Sequence, residues 1–295
     1  MTARIIDGRE ISRAIREELK AEVAALRARG VAPALAVILM GDNPASVSYV
    51  ASKTQACAEI GVESETFRLP TDVSAAEALA LVERLNRDSR WHGILVQKPY
   101  PPQIGESILD LAIDPAKDAD GQSPVNLGRL FRGEPTFAPA TPAGVVELLR
   151  RIGASPEGRH VVICGRSNLV GKPLAGLLMQ KAPGANATVT VCHTGTRDLA
   201  SFTRQADILV AAMGHARAIT ADMVREGAVV IDVGNNPVPD PSRKSGYRLV
   251  GDVDFEAVAE KASWITPVPG GVGPMTVTML LVNTVRAAKG GPAAE

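Results

Sequence analysis

The first residues with catalytic potential centre on a lysine inside an apolar helical segment. Residues 44–60 carry only two charged side chains, Lys53 and Glu59, and the spacing of Ser46, Tyr49 and Lys53 places them on one helix face. Burial lowers the pKa of an ammonium group, and such a lysine beside a tyrosine hydroxyl is suited to acid–base chemistry. The alternative is a lysine whose stem packs while its ammonium reaches water.

Two more polar side chains of the first half are candidates for the same site. Gln97 ends the apolar segment 91–97, so its amide is placed to orient a substrate or the lysine, or else to cap the strand. Asp120 precedes Gly121 in a cluster with Asp114 and Asp118, and the alternative for Asp120 is a solvated turn aspartate. The cluster does not fit a calcium-binding EF-hand loop, because the positions for the first and last acidic ligands hold Ala116 and Leu127.

A glycine-rich turn in the second half is typical of dinucleotide binding. The segment GRSNLVGKP (165–173) follows the apolar run 160–164 and precedes an apolar helical pattern. Glycine there lets the backbone approach a phosphate, and the next helix presents free N–H groups to it. The turn departs from G-x-G-x-x-G and also fits an ordinary strand-to-helix turn. Three further strand patterns complete a Rossmann-like array and favour the dinucleotide.

The polar residues around this turn favour NADP over NAD. The second strand pattern ends at His193 and Thr194, without the carboxylate that usually holds the ribose 2′-hydroxyl of NAD. Arg166 lies in the turn, where a guanidinium can pair with a 2′-phosphate; the alternative is a solvated arginine. DVGNNP (232–237) follows another strand pattern and is either a ligand-facing edge or a plain turn.

The elements that must position these residues alternate between strands and helices. Such alternation predicts an α/β fold with parallel sheet, and we expect two α/β domains around a cleft. The predicted strands are 34–40, 91–97, 160–165, 187–193, 207–214 and 227–234, and the predicted helices are 8–29, 44–60, 74–88, 141–152, 170–181 and 220–226.

Domain boundaries follow from a stretch rich in proline and glycine. Residues 114–142 show no periodic apolar pattern and are interpreted as a linker. We therefore predict a catalytic domain over 1–138, which carries Lys53, and a Rossmann-like NADP-binding domain over 139–274. A C-terminal helix within 275–295 is expected to complete the first domain.

Composition excludes several other classes of protein. The 295 residues include 32 basic and 32 acidic side chains and only 3% aromatics, which disfavours a nucleic-acid partner. No apolar run approaches the roughly 18 residues needed to span a membrane. Three cysteines and four histidines without CxxC or HExxH spacing indicate reduced thiols and no metal site. With no signal peptide pattern, a cytoplasmic location is expected.

Five motifs follow one another along the chain in an order that is specific to one family. They are GDNPASVSYVASK (41–53), GILVQKPYPP (93–102), KDADG (117–121), GRSNLVGKP (165–173) and ITPVPGGVGPMT (265–276). Together they resemble the bifunctional methylenetetrahydrofolate dehydrogenase/cyclohydrolase family. The resemblance extends over about residues 5 to 285, and ITPVPGGVGPMT is its most specific part.

The resemblance implies two successive reactions. 5,10-Methylenetetrahydrofolate is oxidised with NADP⁺ to the 5,10-methenyl cation, which water then opens to 10-formyltetrahydrofolate. It also implies a role in one-carbon metabolism and purine biosynthesis, and a homodimer. Lys53 would assist the proton transfers, Tyr49 would orient the folate, Gln97 would tune Lys53 and Asp120 would anchor the pterin. The implied cofactor contacts are Gly165, Arg166, Ser167, Thr194 and Asn235, and Pro269 and Gly270 would line the substrate site.

Some residues depart from the family pattern. Lys98 and Tyr100 replace two leucines, and Asn235 replaces the usual isoleucine. Two alternative functions are a dehydrogenase without the hydrolysis step and a non-catalytic dinucleotide sensor. The bifunctional enzyme is favoured by the joint presence of Tyr49, Lys53, Gln97 and Asp120. A short-chain dehydrogenase is excluded, because in that family the YxxxK motif follows the glycine-rich turn, whereas here Tyr49 and Lys53 precede it.

Overall fold

A computed structural model of the chain describes residues 2–243 and 246–292 and has a mixed α/β fold. The strands are β1 (Arg4–Ile5), β2 (Ala34–Met40), β3 (Glu63–Leu69), β4 (Gly93–Val96), β5 (His160–Cys164), β6 (Thr188–Cys192), β7 (Ile208–Ala211), β8 (Val229–Asp232), β9 (Asn236–Pro239), β10 (Tyr247–Val250) and β11 (Trp264–Ile265). The α-helices are α1 (Gly8–Ala28), α2 (Pro44–Ile60), α3 (Ala75–Arg87), α4 (Glu106–Ala112), α5 (Pro124–Arg132), α6 (Ala140–Arg151), α7 (Gly171–Leu178), α8 (Leu199–Thr203), α9 (Phe255–Ala259) and α10 (Val272–Ala288).

One compact unit, formed by the residues up to Ser12 and by Thr141–Thr276, contains a six-stranded parallel sheet. Its strand order is β1-β11-β8-β7-β5-β6. Counted from β5, the last five strands follow the doubly wound order 2-1-3-4-5, which places a ligand crevice at the carboxyl ends of β5 and β7. Residues 1–12, which are predicted to belong to the first domain, join this unit instead, because β1 pairs with β11 of this sheet.

The other unit, Arg13–Ala140 with the residues from Val277 onward, contains a three-stranded parallel sheet. All seven residues of the central strand β2 are buried. The edge strand β3 was not predicted, because its sequence, ESETFRL, alternates and leaves one face in solvent. Asn283 of α10 donates hydrogen bonds of 2.9 Å to the carbonyls of Ala119 and Ala138, which ties this helix to the same unit.

The helix that carries Lys53 has strong local signals at both ends. Asn43 caps α2 by accepting hydrogen bonds from the backbone of Ala45 and Ser46, and Pro44 occupies its first turn. Gly61 ends the helix in the left-handed conformation. The helix predicted over 220–226 is shorter, because only a 3₁₀ turn forms at Ala221–Met223. Within residues 2–243 and 246–292, no helix is both long and apolar enough to cross a bilayer.

The interpretation of residues 114–142 as a linker is wrong. Helix α5 lies inside this stretch, and the side chains of Asp118 and Phe137 are fully buried. The stretch folds around polar contacts rather than an apolar repeat, so hydrophobic periodicity did not reveal it. At the other end, the helix expected within 275–295 begins at Val272 and ends at Ala288, and residues 293–295 lie outside the described part of the chain.

Candidate active site

One cluster forms around Lys53, which contacts both Tyr49 and Gln97. We call these three residues and Asp120 the lysine site. The Lys53 ammonium donates a 2.9 Å hydrogen bond to Gln97 Oε1 and lies 4.9 Å from the centre of the Tyr49 ring. Gln97 Nε2 donates to the Lys98 carbonyl at 2.6 Å, which fixes the amide oxygen toward Lys53. Lys53 is only 5% exposed, whereas Tyr49 remains 38% exposed. The lysine is therefore held inside the protein while the tyrosine ring offers a face to a ligand.

The charges of the lysine site oppose one another. Burial lowers the pKa of Lys53, and the nearby Asp120 carboxylate partly offsets that effect. Burial also raises the pKa of Asp120 to about 6, although Lys53 acts in the opposite direction. The pKa of Tyr49 is raised by burial and by Asp120. The site thus contains a lysine and a carboxyl group whose pKa values have both moved toward neutrality, as general acid–base groups require.

A polar turn places Asp120. Asp118, two residues earlier, accepts hydrogen bonds from the backbone N–H groups of Gln122 and Ser123 and from the Asn126 side chain. Burial raises the pKa of Asp118, and these hydrogen bonds oppose the rise. Because both ends of the turn are fixed, the position of Asp120 is set by the backbone. The sequence analysis placed Asp118 in the acidic cluster without recognising this structural role.

The glycine-rich turn of the other unit requires glycine at two positions. Gly165 follows β5 with φ = +136°, and a β-carbon there would lie 2.1 Å from the carbonyl oxygen of Ala212. A β-carbon at Gly171, which begins α7, would lie 2.0 Å from the Gly165 carbonyl oxygen. Ser167 closes the turn by accepting a hydrogen bond from the Val170 backbone through its hydroxyl. This close packing brings the turn after β5 directly against the start of α7.

A cavity of about 370 Å³ opens beside this turn at the carboxyl ends of β5, β6 and β7. We call it the glycine-turn cavity. Its walls combine small and apolar residues with polar groups able to contact phosphate and ribose. The lining residues are Cys164, Gly165, Arg166, Ser167, Cys192, His193, Thr194, Thr196, Leu199, Ala212, Met213 and His215. The location agrees with the crevice expected from the strand order, and the lining fits a dinucleotide.

A buried aspartate holds one wall of the cavity in place. Asp252 is fully buried and accepts hydrogen bonds from three successive backbone N–H groups, those of residues 213–215. Its Oδ1 also accepts a 2.8 Å hydrogen bond from the Asn236 side chain. The neighbouring Asp232 accepts from the backbone of Gly234, Asp252 and Val253. The Asp252 carboxylate therefore holds the loop after β7, and Asp232 in turn holds the backbone of Asp252.

The candidate residues fall into separate groups. Tyr49 and Gln97 each contact Lys53, and the glycine-turn cavity is lined by Gly165, Arg166, Ser167 and Thr194. Asn235 lies between β8 and β9 and is not among the described residues that line this cavity. Pro269 and Gly270 belong to the unit of the six-stranded sheet, in the segment before α10.

Sequence reasoning missed several residues of these sites. Asp110 contacts both Lys98 and Tyr100, Asp252 supports the cavity wall, and Met213 and His215 line it. Met213 and His215 had a usable signal, because they follow a predicted strand at the edge where ligands bind. Asp110 and Asp252 had none, since their partners are distant in sequence.

Two family models match most of the chain. "Tetrahydrofolate dehydrogenase/cyclohydrolase, catalytic domain" matches residues 6–120, and "Tetrahydrofolate dehydrogenase/cyclohydrolase, NAD(P)-binding domain" matches residues 139–291. The first range contains the lysine site and the second contains the glycine-turn cavity.

Individual relatives are similar over nearly their whole length. The chain is 59% identical to "Bifunctional protein FolD" of Dehalococcoides mccartyi, over 98% of each chain. Its structure resembles that of the bifunctional FolD enzyme of Campylobacter jejuni, with a TM-score of 0.92, 47% identity and 98% and 99% coverage. It also resembles the Trypanosoma brucei FolD crystallised with NADP and an inhibitor, with a TM-score of 0.92, 43% identity and 98% coverage of each. The chain belongs to the tetrahydrofolate dehydrogenase/cyclohydrolase family.

Proposed function

We propose that this enzyme oxidises 5,10-methylenetetrahydrofolate to 5,10-methenyltetrahydrofolate with NADP⁺ and then hydrolyses the product to 10-formyltetrahydrofolate. The observation that carries the proposal is the buried Lys53, of lowered pKa and hydrogen-bonded to Gln97, in a family member that also has a glycine-turn cavity. A sensor protein has no need of a buried lysine tuned in this way.

The hydrolysis step uses the lysine site. Water that attacks the methenyl carbon must lose a proton, and burial, which lowers the pKa of Lys53, favours the neutral amine that can accept it. Gln97 Oε1 holds the lysine in place through their 2.9 Å hydrogen bond. The exposed face of Tyr49 packs against the folate ring, and Asp120 accepts hydrogen bonds from the pterin amino groups. Positioning of this kind contributes to rate because the reacting groups are already aligned.

The glycine-turn cavity holds NADP. When bound, this cofactor accepts the hydride that the methylene group releases. The glycine-rich turn before α7 approaches its pyrophosphate, and Gly165 and Gly171 give this turn the close backbone packing that any larger residue would prevent. Arg166 and Thr194 bind the ribose 2′-phosphate, because no carboxylate ends β6 to favour a free 2′-hydroxyl. Asn235, Pro269 and Gly270 complete the substrate and cofactor contacts.

A spectroscopic assay of the purified enzyme tests the proposal. Methenyl formation from methylenetetrahydrofolate is followed with NADP⁺ and, separately, with NAD⁺, and the later decay of the methenyl absorbance is followed against a buffer blank. We expect formation that is faster with NADP⁺ and decay that the enzyme accelerates. Formation without accelerated decay would leave a monofunctional dehydrogenase, and the absence of formation with either cofactor would refute the proposal.

The proposal extends to the organisation and setting of the enzyme. A folate-binding domain over 13–138, completed by the C-terminal helix, and an NADP-binding domain over 139–274, joined by residues 1–12, make up each subunit of a cytoplasmic homodimer that serves one-carbon metabolism and purine biosynthesis. The close resemblance to bifunctional relatives supports this assignment. Light scattering coupled to gel filtration measures the mass in solution, and a monomer at micromolar concentration would contradict the homodimer.

A further inference from the structure

An aspartate on α4 clamps the segment that follows β4. Asp110 Oδ2 accepts a 2.9 Å hydrogen bond from the Lys98 ammonium, and Asp110 Oδ1 accepts one of 2.9 Å from the Tyr100 hydroxyl. The Lys98 ammonium also lies 5.4 Å from the centre of the Tyr100 ring. Both oxygens of one carboxylate thus hold two side chains that are two residues apart. We call these three residues the Asp110 clamp.

The clamp is more than a surface ion pair. The side chains of Lys98 and Asp110 are only 20% and 16% exposed, whereas the ion pairs on exposed helix faces, such as Glu83–Arg87, are mostly in water. Removing one partner of a partly desolvated pair is destabilising, because the remaining charge is then neither paired nor fully solvated. The two leucines expected from the family pattern at positions 98 and 100 would support no such contact.

The clamp connects directly to the lysine site. Gln97 Nε2 donates to the backbone carbonyl of Lys98 at 2.6 Å, while Gln97 Oε1 accepts from Lys53. The Lys98 carbonyl therefore decides which end of the Gln97 amide faces the lysine. Asp110 holds the side chain of that same residue, so it fixes the backbone on which Gln97 depends.

The clamp also balances charge around Asp120. The charged groups that act on Asp120 are Lys53 from α2, Lys98 from the clamped segment, Asp110 from α4 and Asp118 from its own turn, and the Tyr49 hydroxyl also faces it. Lys98 lowers the pKa of Asp120 and Asp110 raises it. The two clamp charges therefore oppose each other at Asp120.

We propose that Asp110 is a positioning residue whose clamp on Lys98 and Tyr100 aligns Gln97 with Lys53 and keeps Asp120 free of the unbalanced Lys98 charge. The inference rests on the proposed function, because it assigns the clamp to the folate-binding site. The clamp accounts for the joint presence of a lysine and a tyrosine after β4, because both side chains donate hydrogen bonds to the same carboxylate.

Titration of Asp120 tests the charge balance without any activity. Carboxyl ¹³C NMR follows Asp120, assigned with Asp120→Asn, in the wild type, Asp110→Asn, Lys98→Leu and the double variant Lys98→Leu/Asp110→Leu. Tyr100→Phe removes a hydrogen bond but no charge, and Glu83→Gln removes the charge of an exposed helical ion pair. We expect the pKa of Asp120 to fall by about half a unit or more in Asp110→Asn and to rise as much in Lys98→Leu. The double variant and both controls should titrate close to the wild type.

Enzyme kinetics on the same proteins test the positioning role. The pH below which the KM for methylenetetrahydrofolate rises should follow the Asp120 titration in each variant. Tyr100→Phe should slow methenyl hydrolysis more than methylene oxidation, since Gln97 acts on Lys53. Single variants that shift the Asp120 titration in the same direction, or not at all, would refute the charge balance, and an unchanged ratio of the two rates in Tyr100→Phe would refute the positioning role. A wild type without folate turnover would refute the proposed function, while the NMR titration still decides the charge balance.

Discussion

Replacing Gln97 with methionine removes the acceptor that Lys53 contacts while keeping a side chain of similar length. The Lys53 ammonium is 5% exposed and donates to Gln97 Oε1 at 2.9 Å. After the substitution, the charged form of the lysine loses more than the neutral form does, because an ammonium makes the stronger hydrogen bond. The pKa of Lys53, already lowered by burial, should therefore fall further.

The size of this effect follows from hydrogen-bond energies. A hydrogen bond to a charged group contributes about 1.5–3 kcal/mol and one between neutral groups about 0.5–1.5 kcal/mol. The difference, about 1 kcal/mol, corresponds to somewhat less than one pKa unit at roughly 1.4 kcal/mol per unit. Gln97→Glu acts in the opposite direction, because a carboxylate beside the ammonium stabilises its charged form.

The assay is the pH dependence of kcat for methenyl hydrolysis, corrected for the reaction in buffer at each pH. If Lys53 acts as the neutral amine, the rise of kcat with pH should move down by somewhat less than one unit in Gln97→Met and should move up in Gln97→Glu. The plateau rate in Gln97→Met should also be lower, since a weaker base accepts the proton less readily. A profile that stays in place in both variants, or that moves up in Gln97→Met, would refute the role assigned to this hydrogen bond.

Three more predictions concern the unit with the glycine-turn cavity. Asp252→Asn should raise the KM for NADP⁺ about tenfold with a smaller change in kcat, because an amide is a weaker acceptor for the three backbone N–H groups that it holds; an unchanged KM would contradict this. Gly165→Ala should abolish NADP⁺ binding in calorimetry, whereas Gly128→Ala, where a β-carbon meets nothing within 4 Å, should bind as the wild type does. Burial raises the pKa of Asp232 to about 6. Between about pH 4 and pH 6, Asp232 therefore keeps its proton in the folded state but has lost it in the unfolded state. The free energy of unfolding should therefore fall by about 3 kcal/mol as the pH rises from about 4 to 6, and urea titrations of Asp232→Asn should lack this component.

Local signals made the helix of Lys53 predictable from sequence. Asn43, Pro44 and Gly61 mark its ends in the same way in any protein, so the bounds 44–60 agree with the structure. The six apolar strands were also recognised. Five of them, β2, β4, β5, β7 and β8, are buried almost throughout, as expected of strands covered on both faces, whereas the edge strand β6 is largely accessible. Both features depend only on residues that are neighbours along the chain.

The parts that were missed depend on contacts distant in sequence. The turn around Asp118 is built from a buried carboxylate and Asn126, a pattern without apolar periodicity, so it was interpreted as a linker. Asp252 contacts residues almost 40 positions earlier, and Asp110 acts on a segment about ten positions before it. No local rule connects such pairs, although each is a simple hydrogen bond once the fold is known.

The most direct test of the account supplies 5,10-methenyltetrahydrofolate itself, without cofactor, and measures its hydrolysis by the wild type, by Lys53→Met and by Lys20→Met. Lys20 is a matched control, because its side chain is 58% exposed and carries no assigned role. We expect the wild type and Lys20→Met to accelerate hydrolysis equally and Lys53→Met to lose at least about 10²-fold, the usual contribution of a general base. Hydrolysis by Lys53→Met at the wild-type rate would contradict the assignment of Lys53 as the proton acceptor.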